Sequence, residues 1–383
     1  MSNIQARDTL SRIEEYQVET VPDADIIVNA NETNWDMTPE LRLELNSRLA
    51  EHLFNRYPSM HGEDLCAAIG EALGFDPQQV ALGNGSSELL EKACYAFGGP
   101  GRKIAAPTPS FSMYQTYAIL ADSEPVLFPL TADGFVDPDT VIDFARKQQP
   151  ALLIVCNPNN PTGNYNSHEA MEKIIRNVEC PVIMDEAYME FSVEEGDPRT
   201  NSTLDLVDQV DNLLVLRTFS KAYGLANLRI GYGIGSKEVM KTLKKVLLPY
   251  TVNGFSILTA ELLFSKPEVL KERVDMVVSG RRYLREHLEA MGFRVLPSAT
   301  NFLLALPAGK VLEKLADAAG ARDLPSMEKA RAAGSYLFHE LLKKRVLIRD
   351  FSQNNRLPGG LRISVGTAEE NPMIIRAIKE IVQ

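Results

Sequence analysis

Three stretches of the sequence decide the fold: ALLIVCNPNNPTG (151–163), PVIMDEAY (181–188) and LLVLRTFSK (213–221). Each contains a continuous run of aliphatic residues and then turns abruptly to small, polar or charged ones. A strand with no polar alternation is buried on both faces, which is how strands of a parallel sheet covered by helices read. Two more β-prone runs lie at 103–106 and 126–130, and helical patterns fall between runs at 88–97, 113–121, 141–146 and 170–177. This alternation over 80–235 predicts an α/β domain with a mainly parallel sheet sandwiched by helices.

Beyond it the pattern changes. A long periodic stretch, 269–291, reads as one helix closed by Gly292, a residue suited to the left-handed position that ends helices. Strands are expected near 294–296, 302–306, 346–348 and 361–365, with a last helix over 369–382. Thr367 and Glu370 have the spacing of a capping box at its start. The Ala-, Gly-, Lys- and Glu-rich stretch 308–333 reads as a partly helical surface insertion. The second half is thus a smaller α+β domain, and the expected division is 45–275 against 1–44 with 276–383.

Composition narrows the function classes. The 383 residues exceed what one ordinary core supports, and 45% hydrophobic with 24% charged residues is normal for a globular chain. A formal net charge of −11 with interspersed signs argues against a nucleic-acid partner. The polar segment 1–20 has no apolar core of a leader, and no run of 18 apolar residues suggests a membrane span. Cys66, Cys94, Cys156 and Cys180 lack CxxC spacing and read as reduced thiols, so a cytoplasmic setting is expected. The five histidines fall at no metal-ligand spacing, and no metal is expected.

Ligands of α/β sheets sit beyond the carboxyl ends of the strands, so the residues after each apolar run carry the chemistry. They are Asn160 in Asn-Pro-Thr-Gly, Asp185 with Tyr188, and Thr218, Ser220 and Lys221, with Arg229 eight residues later. Singly, each has a plain reading: a turn, a helix cap, a solvated lysine. Their ordered occurrence on three strand ends points to one site. A fourth signal, GNGSS (83–87), precedes a helical pattern and supplies small residues for an anion at a helix N-terminus. It lacks the lysine of a P-loop, which argues against a nucleotide-binding α/β protein.

The set Gly85-Ser86-Ser87, Asn160-Pro-Thr-Gly163, Asp185-x-x-Tyr188, Ser220-Lys221, Arg229 and Leu361-Arg362 resembles the fold-type I pyridoxal-phosphate aminotransferases over nearly the whole chain. Within these, VNANE (28–32), NRYP (55–58), SKAYGLA (220–226) and LRISVGT (361–367) resemble the histidinol-phosphate aminotransferases. The resemblance implies a mainly parallel seven-stranded sheet, pyridoxal 5'-phosphate as cofactor and a cis bond at Asn160–Pro161. It makes Lys221 the amine that takes up the cofactor's aldehyde and then moves a proton. Asp185 would keep the cofactor's ring nitrogen protonated, and Asn160 and Tyr188 would hydrogen-bond its phenolic oxygen. Ser86, Ser87, Ser220, Arg229 and Thr218 would hold its phosphate, and Phe111 would stack on its ring. Tyr57 would reach the phosphate in a neighbouring subunit, which implies a homodimer with shared active sites. Asn31, Arg349 and Arg362 would bind substrate, the two arginines suiting a phosphorylated dianion. Trp35 either lines the substrate pocket or anchors the N-terminal segment.

The reaction implied is amino transfer between L-histidinol phosphate and a 2-oxo acid, 2-oxoglutarate, in histidine biosynthesis. Two readings keep the cofactor but change the substrate, an aromatic-amino-acid aminotransferase and a threonine-phosphate decarboxylase. A non-catalytic ligand-binding relative would be expected to have lost Lys221 or Asp185, and the sequence keeps both.

Overall fold

The computed structural model describes residues 7–13, 15, 24–193 and 196–383. Much of the polar segment 1–20 therefore lies outside the described residues. Among the described residues, thirteen strands form three sheets: β1 (Ile26–Ile27), β2 (Val80–Gly83), β3 (Lys103–Thr108), β4 (Glu124–Pro129), β5 (Leu152–Cys156), β6 (Val182–Asp185), β7 (Leu213–Thr218), β8 (Gly231–Gly235), β9 (Phe293–Val295), β10 (Phe302–Pro307), β11 (Val346–Leu347), β12 (Arg349–Phe351) and β13 (Gly360–Ser364). The large sheet has seven strands in the order β2-β8-β7-β6-β5-β3-β4, parallel except at β8, which runs antiparallel to both neighbours.

The apolar runs are strands for the reason anticipated: both faces are covered. Successive residues of a strand point to opposite faces, so Leu153, Val155, Val182, Met184, Leu213 and Val215 join one core. Their neighbours Leu152, Ile154, Ile183, Leu214 and Leu216 join the core on the other side. In register, Cys156 lies beside Asp185 and Asp185 beside Leu216, so β5 and β6 end level, β7 runs two residues further to Thr218, and all three end at the same edge of the sheet.

A third core surrounds the smaller antiparallel sheet β12-β13-β10-β9. The helix Pro267–Met291 runs alongside it and closes at Gly292 with φ 99°, as expected. Thr367 and Glu370 form the expected capping box: Glu370 N–H donates to Thr367 Oγ1 at 3.1 Å, and Thr367 N–H donates to Glu370 Oε2 at 2.8 Å.

One expectation needs correction, and one strand was not anticipated. The stretch 308–333 is no surface insertion. It forms the helix Gly309–Ala318 and the first part of the helix Ser326–Lys343, which bury Val311, Leu315, Ala316, Ala333 and Leu337 in the third core. The helical part of the expectation holds; the correction is to burial, since Lys310, Glu313 and Lys314 face solvent while Val311, Leu315 and Ala316 of the same helix enter the core. The strand expected near 346–348 is β11, paired in parallel with β1, but a further strand was not anticipated: after Ile348 the chain crosses to pair β12 with β13. That crossing sets Arg349 directly opposite Arg362.

Candidate active site

The polar strand ends open into a cleft of about 440 Å³ lined by residues from both halves of the chain. It gathers Asn31, Ser86, Ser87, Phe111, Asn160, Asp185, Tyr188, Thr218, Ser220, Lys221, Arg229, Arg349 and Arg362. Gly85 stands directly behind, as the cap of the helix Ser86–Phe97. Tyr57 is not brought in: it is 81% exposed and stacks on Tyr250, ring centroids 4.8 Å apart. Trp35 is also outside the lining and packs half-buried on the third core, so its anchoring role is the one the structure bears out.

One wall is built for an anion. Gly85 has φ 79°, a conformation open to glycine, which turns the chain so that the helix begins at Ser86. Its exposed N–H groups carry the positive end of the helix dipole, and Ser86 and Ser87 add hydroxyls. Across from them Arg229 Nη1 donates to Ser220 Oγ at 3.4 Å and to the Ala226 carbonyl at 2.9 Å, which fixes the guanidinium. A Cβ at Gly85 would lie 2.8 Å from Arg229 Nη2. Gly85→Ala is therefore expected to cost about 1–2 kcal/mol of stability through its positive φ and to weaken phosphate capture. Thermal unfolding of the apo chain and a phosphate-ligand titration check both parts; a variant indistinguishable from wild type in the titration would remove Gly85 from the cradle.

The floor is acidic and the far side basic. Asp185 ends β6, is 8% exposed, and is held above the ordinary carboxylate range by burial, which the Tyr114 hydrogen bond opposes. Lys221 Nζ donates to the carbonyls of Asn31 at 2.9 Å and Ala30 at 3.2 Å. Burial pushes its pKa down to about 8; Arg362 and Arg229 act in the same direction, and Glu32 and Asp185 oppose. Tyr188 accepts from Asn31 Nδ2 at 2.9 Å and is buried among apolar groups, which raises its pKa. Arg362 Nη1 donates to Asn160 Oδ1 at 2.6 Å and Nη2 to the Asn29 carbonyl at 2.6 Å, while its guanidinium stands over Phe302 and Phe351. The Asn160–Pro161 bond is cis, as are Thr108–Pro109 and Asn157–Pro158.

Sequence reasoning missed what supports this site from behind. Arg217, just before Thr218, donates Nε to Glu186 Oε2, Nη1 to Glu190 Oε1 and Nη2 to Ser202 Oγ, each at 2.9 Å. Glu186 Oε1 also accepts the Thr203 N–H and hydroxyl, at 2.8 Å each. The cluster is 0–7% exposed at its charged side chains and ties the end of β6 to the end of β7. Two carboxylates and one guanidinium in a dry core are unevenly matched, and burial raises the pKa of Glu190, against the pull of Arg217. Glu186 is next in sequence to Asp185, but nothing in the local pattern distinguishes an outward cap from this inward pair.

A mainly parallel sheet with polar residues at the carboxyl edge of its strands, small residues and Arg229 at a helix N-terminus, and a lysine in the same cleft as a buried carboxylate are the features of an aminotransferase-type centre. The chain belongs to the aminotransferase class I and II family, whose model matches residues 25–378. A histidinol-phosphate aminotransferase of Thermoanaerobacter pseudethanolicus is 34% identical over 98% of this chain and 98% of that protein. The fold is similar to that of the Sinorhizobium meliloti histidinol-phosphate aminotransferase solved with pyridoxal-5'-phosphate, with a TM-score of 0.85, 20% identity and coverage of 100% of this chain and 98% of that one. An L-threonine-O-3-phosphate decarboxylase of Porphyromonas gingivalis is similar at a TM-score of 0.72, with 21% identity and coverage of 93% and 98%.

Proposed function

We propose that this chain is a pyridoxal-phosphate-dependent transaminase that moves an amino group between L-histidinol phosphate and 2-oxoglutarate, within histidine biosynthesis. The residues fit the cofactor: a glycine cradle and Arg229 for its phosphate, Phe111 for a ring face, Asp185 for its ring nitrogen, and Asn160 and Tyr188 for its phenolic oxygen. When bound, the cofactor supplies the electron sink for carbanion chemistry. Lys221 Nζ, partly neutral near pH 8, can take a proton from the carbon bearing the amino group and later return it. Arg362, fixed by Asn160 and the Asn29 carbonyl, orients the substrate anion.

The observation that favours a phosphorylated donor is the cross-strand pair Arg349–Arg362, both lining the cleft. Directly opposed side chains in an antiparallel pair lie about 4.5–5.5 Å apart at Cβ, so both guanidinium groups can reach one anion. A dianionic phosphate satisfies both guanidinium forks. The experiment is a donor panel on the loaded enzyme with histidinol phosphate, phenylalanine and threonine phosphate. Histidinol phosphate is expected to lead, and Arg349→Gln to lower its kcat/KM by about 10- to 100-fold while leaving phenylalanine nearly unchanged. Phenylalanine turned over as well as histidinol phosphate would overturn the donor assignment, and release of carbon dioxide from threonine phosphate would favour the decarboxylase.

The working unit we propose is a homodimer. Support comes from a group of exposed large apolar side chains, Leu53, Phe54, Tyr57, Met60, Leu248 and Tyr250, of which Tyr57 and Tyr250 stack on each other. Tyr57 lies on it, where it could reach a partner's cofactor phosphate. Sedimentation is expected to show a dimer, and Tyr57→Ala to loosen cofactor by roughly tenfold with the pocket of its own chain intact. A wild-type monomer with full activity would sink this part. The division 45–275 against 1–44 with 276–383 is proposed with it, supported by the separate core around the smaller sheet. So is a cytoplasmic setting, supported by the four free cysteines; among the described residues no helix is long and apolar enough to cross a membrane.

A further inference from the structure

Behind Asp185 stands a contact that no motif announced. Tyr114, near the start of the helix Met113–Leu120, is 1% exposed, and its hydroxyl donates to Asp185 Oδ2 at 2.7 Å. The other carboxylate oxygen, Oδ1, accepts the Ala187 N–H at a longer 3.3 Å. The same phenol ring meets Phe111 edge-on, with centroids 5.5 Å apart and planes at 83°. One side chain therefore braces both the carboxylate at the floor of the cleft and the aromatic on its wall.

We propose that Tyr114 is a positioning residue for Asp185, holding that buried carboxylate ionised and oriented so that it can pair with a protonated ring nitrogen of the cofactor. This rests on the pyridoxal-phosphate reading above. The physical need is plain: a carboxylate removed from water drifts toward its neutral form, and a neutral acid cannot hold a proton on a pyridine nitrogen. The groups facing Asp185 come from several elements. Burial and the adjacent Glu186 disfavour its charge, and Lys221 beyond β7 favours it at a distance; Cys156 at the end of β5 is a neutral thiol whose own ionisation is suppressed by burial and by Asp185. Tyr188 and Tyr117 complete the surroundings. Among these, Tyr114 donates a short hydrogen bond directly to the carboxylate, and a bond to a charged acceptor is about twice as strong as a neutral one. A phenol is suited to the task, because burial raises its own pKa well above the ordinary value and it stays a donor at every working pH.

Tyr114→Phe deletes the hydroxyl and keeps the ring against Phe111, so it separates hydrogen bonding from packing. The apo proteins are titrated with pyridoxal phosphate across pH, reading visible absorbance and cofactor retention after gel filtration, with thermal unfolding of the apo chains alongside. Y114F is expected to unfold like wild type, to bind cofactor about 10- to 100-fold more weakly, and to lose it at higher pH. The sign follows from the bond: without the donor the pKa of Asp185 rises, so the carboxylate is neutralised sooner as pH falls. In a D185N background the Tyr114→Phe change is expected to have no further effect on cofactor binding. Should Y114F destabilise the apo chain, this double-variant comparison still decides, since loss of packing alone would weaken binding equally in both backgrounds. Cofactor binding and pH limb unchanged in Y114F, or equal losses in both backgrounds, overturn the inference. A wild-type chain that takes up no pyridoxal phosphate overturns the functional reading itself, and the inference with it.

Discussion

Lys221→Ala is expected to abolish transamination, with residual turnover more than about 10⁴-fold below wild type, since general acid–base catalysis alone is worth about 10²–10⁴. On the proposed reading, the replacement removes both the group that would hold the cofactor covalently and the group that would move the proton. Among the described residues no other lysine lines the cleft to replace it. Cofactor should still bind through Ser86, Ser87, Arg229 and Asp185, so the variant is expected to take it up reversibly and release it on dilution. Methylamine added to the assay should restore part of the rate, because a small amine can enter the space vacated by the side chain. In the wild type, the step that uses Nζ as a base should rise with pH through about 8, where burial has placed the free amine. Single-turnover rates across pH check this. Turnover of K221A within a hundredfold of wild type would remove Lys221 from the chemistry.

The second large effect is expected at Arg362. It is 7% exposed, hydrogen-bonded to Asn160 Oδ1 and the Asn29 carbonyl, and covered by Phe302 and Phe351. A guanidinium fixed in this way presents a planar fork at no further entropic cost, and truncating one partner of a buried charge pair costs about 2–5 kcal/mol. Arg362→Gln is therefore expected to lower kcat/KM by about 10²–10³-fold for histidinol phosphate and for 2-oxoglutarate alike. Arg362→Lys keeps the charge but loses the fork, and should fall between wild type and R362Q. Arg349→Gln should affect the phosphorylated donor and spare 2-oxoglutarate. Steady-state kinetics with both substrates separates the two arginines. A uniform loss in R349Q, or 2-oxoglutarate unaffected by R362Q, would contradict the assigned clamp.

Legibility in the sequence followed physical locality. The strands β5, β6 and β7 were readable because each is buried on both faces and so carries an unbroken apolar run. The helix Gly254–Phe264 gave no such signal: enclosed on most sides, it lacks the polar stripe that makes a helix visible. The stretch 308–333, read as a partly helical surface insertion, misled only about burial: its exposed lysines and glutamates mark a surface, while Val311, Leu315 and Ala333 on the other side join the core. At the site, strand-end position marked Asn160, Asp185, Tyr188 and Lys221. Tyr114 and the Glu186–Arg217–Glu190 cluster carried no mark, because an ordinary helical tyrosine and ordinary charged residues look alike whether they face solvent or a buried partner.

By itself the sequence determined the α/β class, the order of the strand-end residues and the family to which the chain belongs. These are local properties, written in runs of a few residues whose period and polarity follow from burial. The tertiary structure decided what those residues meet. Lys221 reaches the carbonyl of Asn31 across 190 positions of chain, and Arg362 reaches Asn160 across 202. It also turned the strand after Ile348 so that Arg349 faces Arg362, and set Tyr114 beneath Asp185. Hydrogen-bond geometry between distant segments depends on how whole layers stack, and no short window of sequence encodes that.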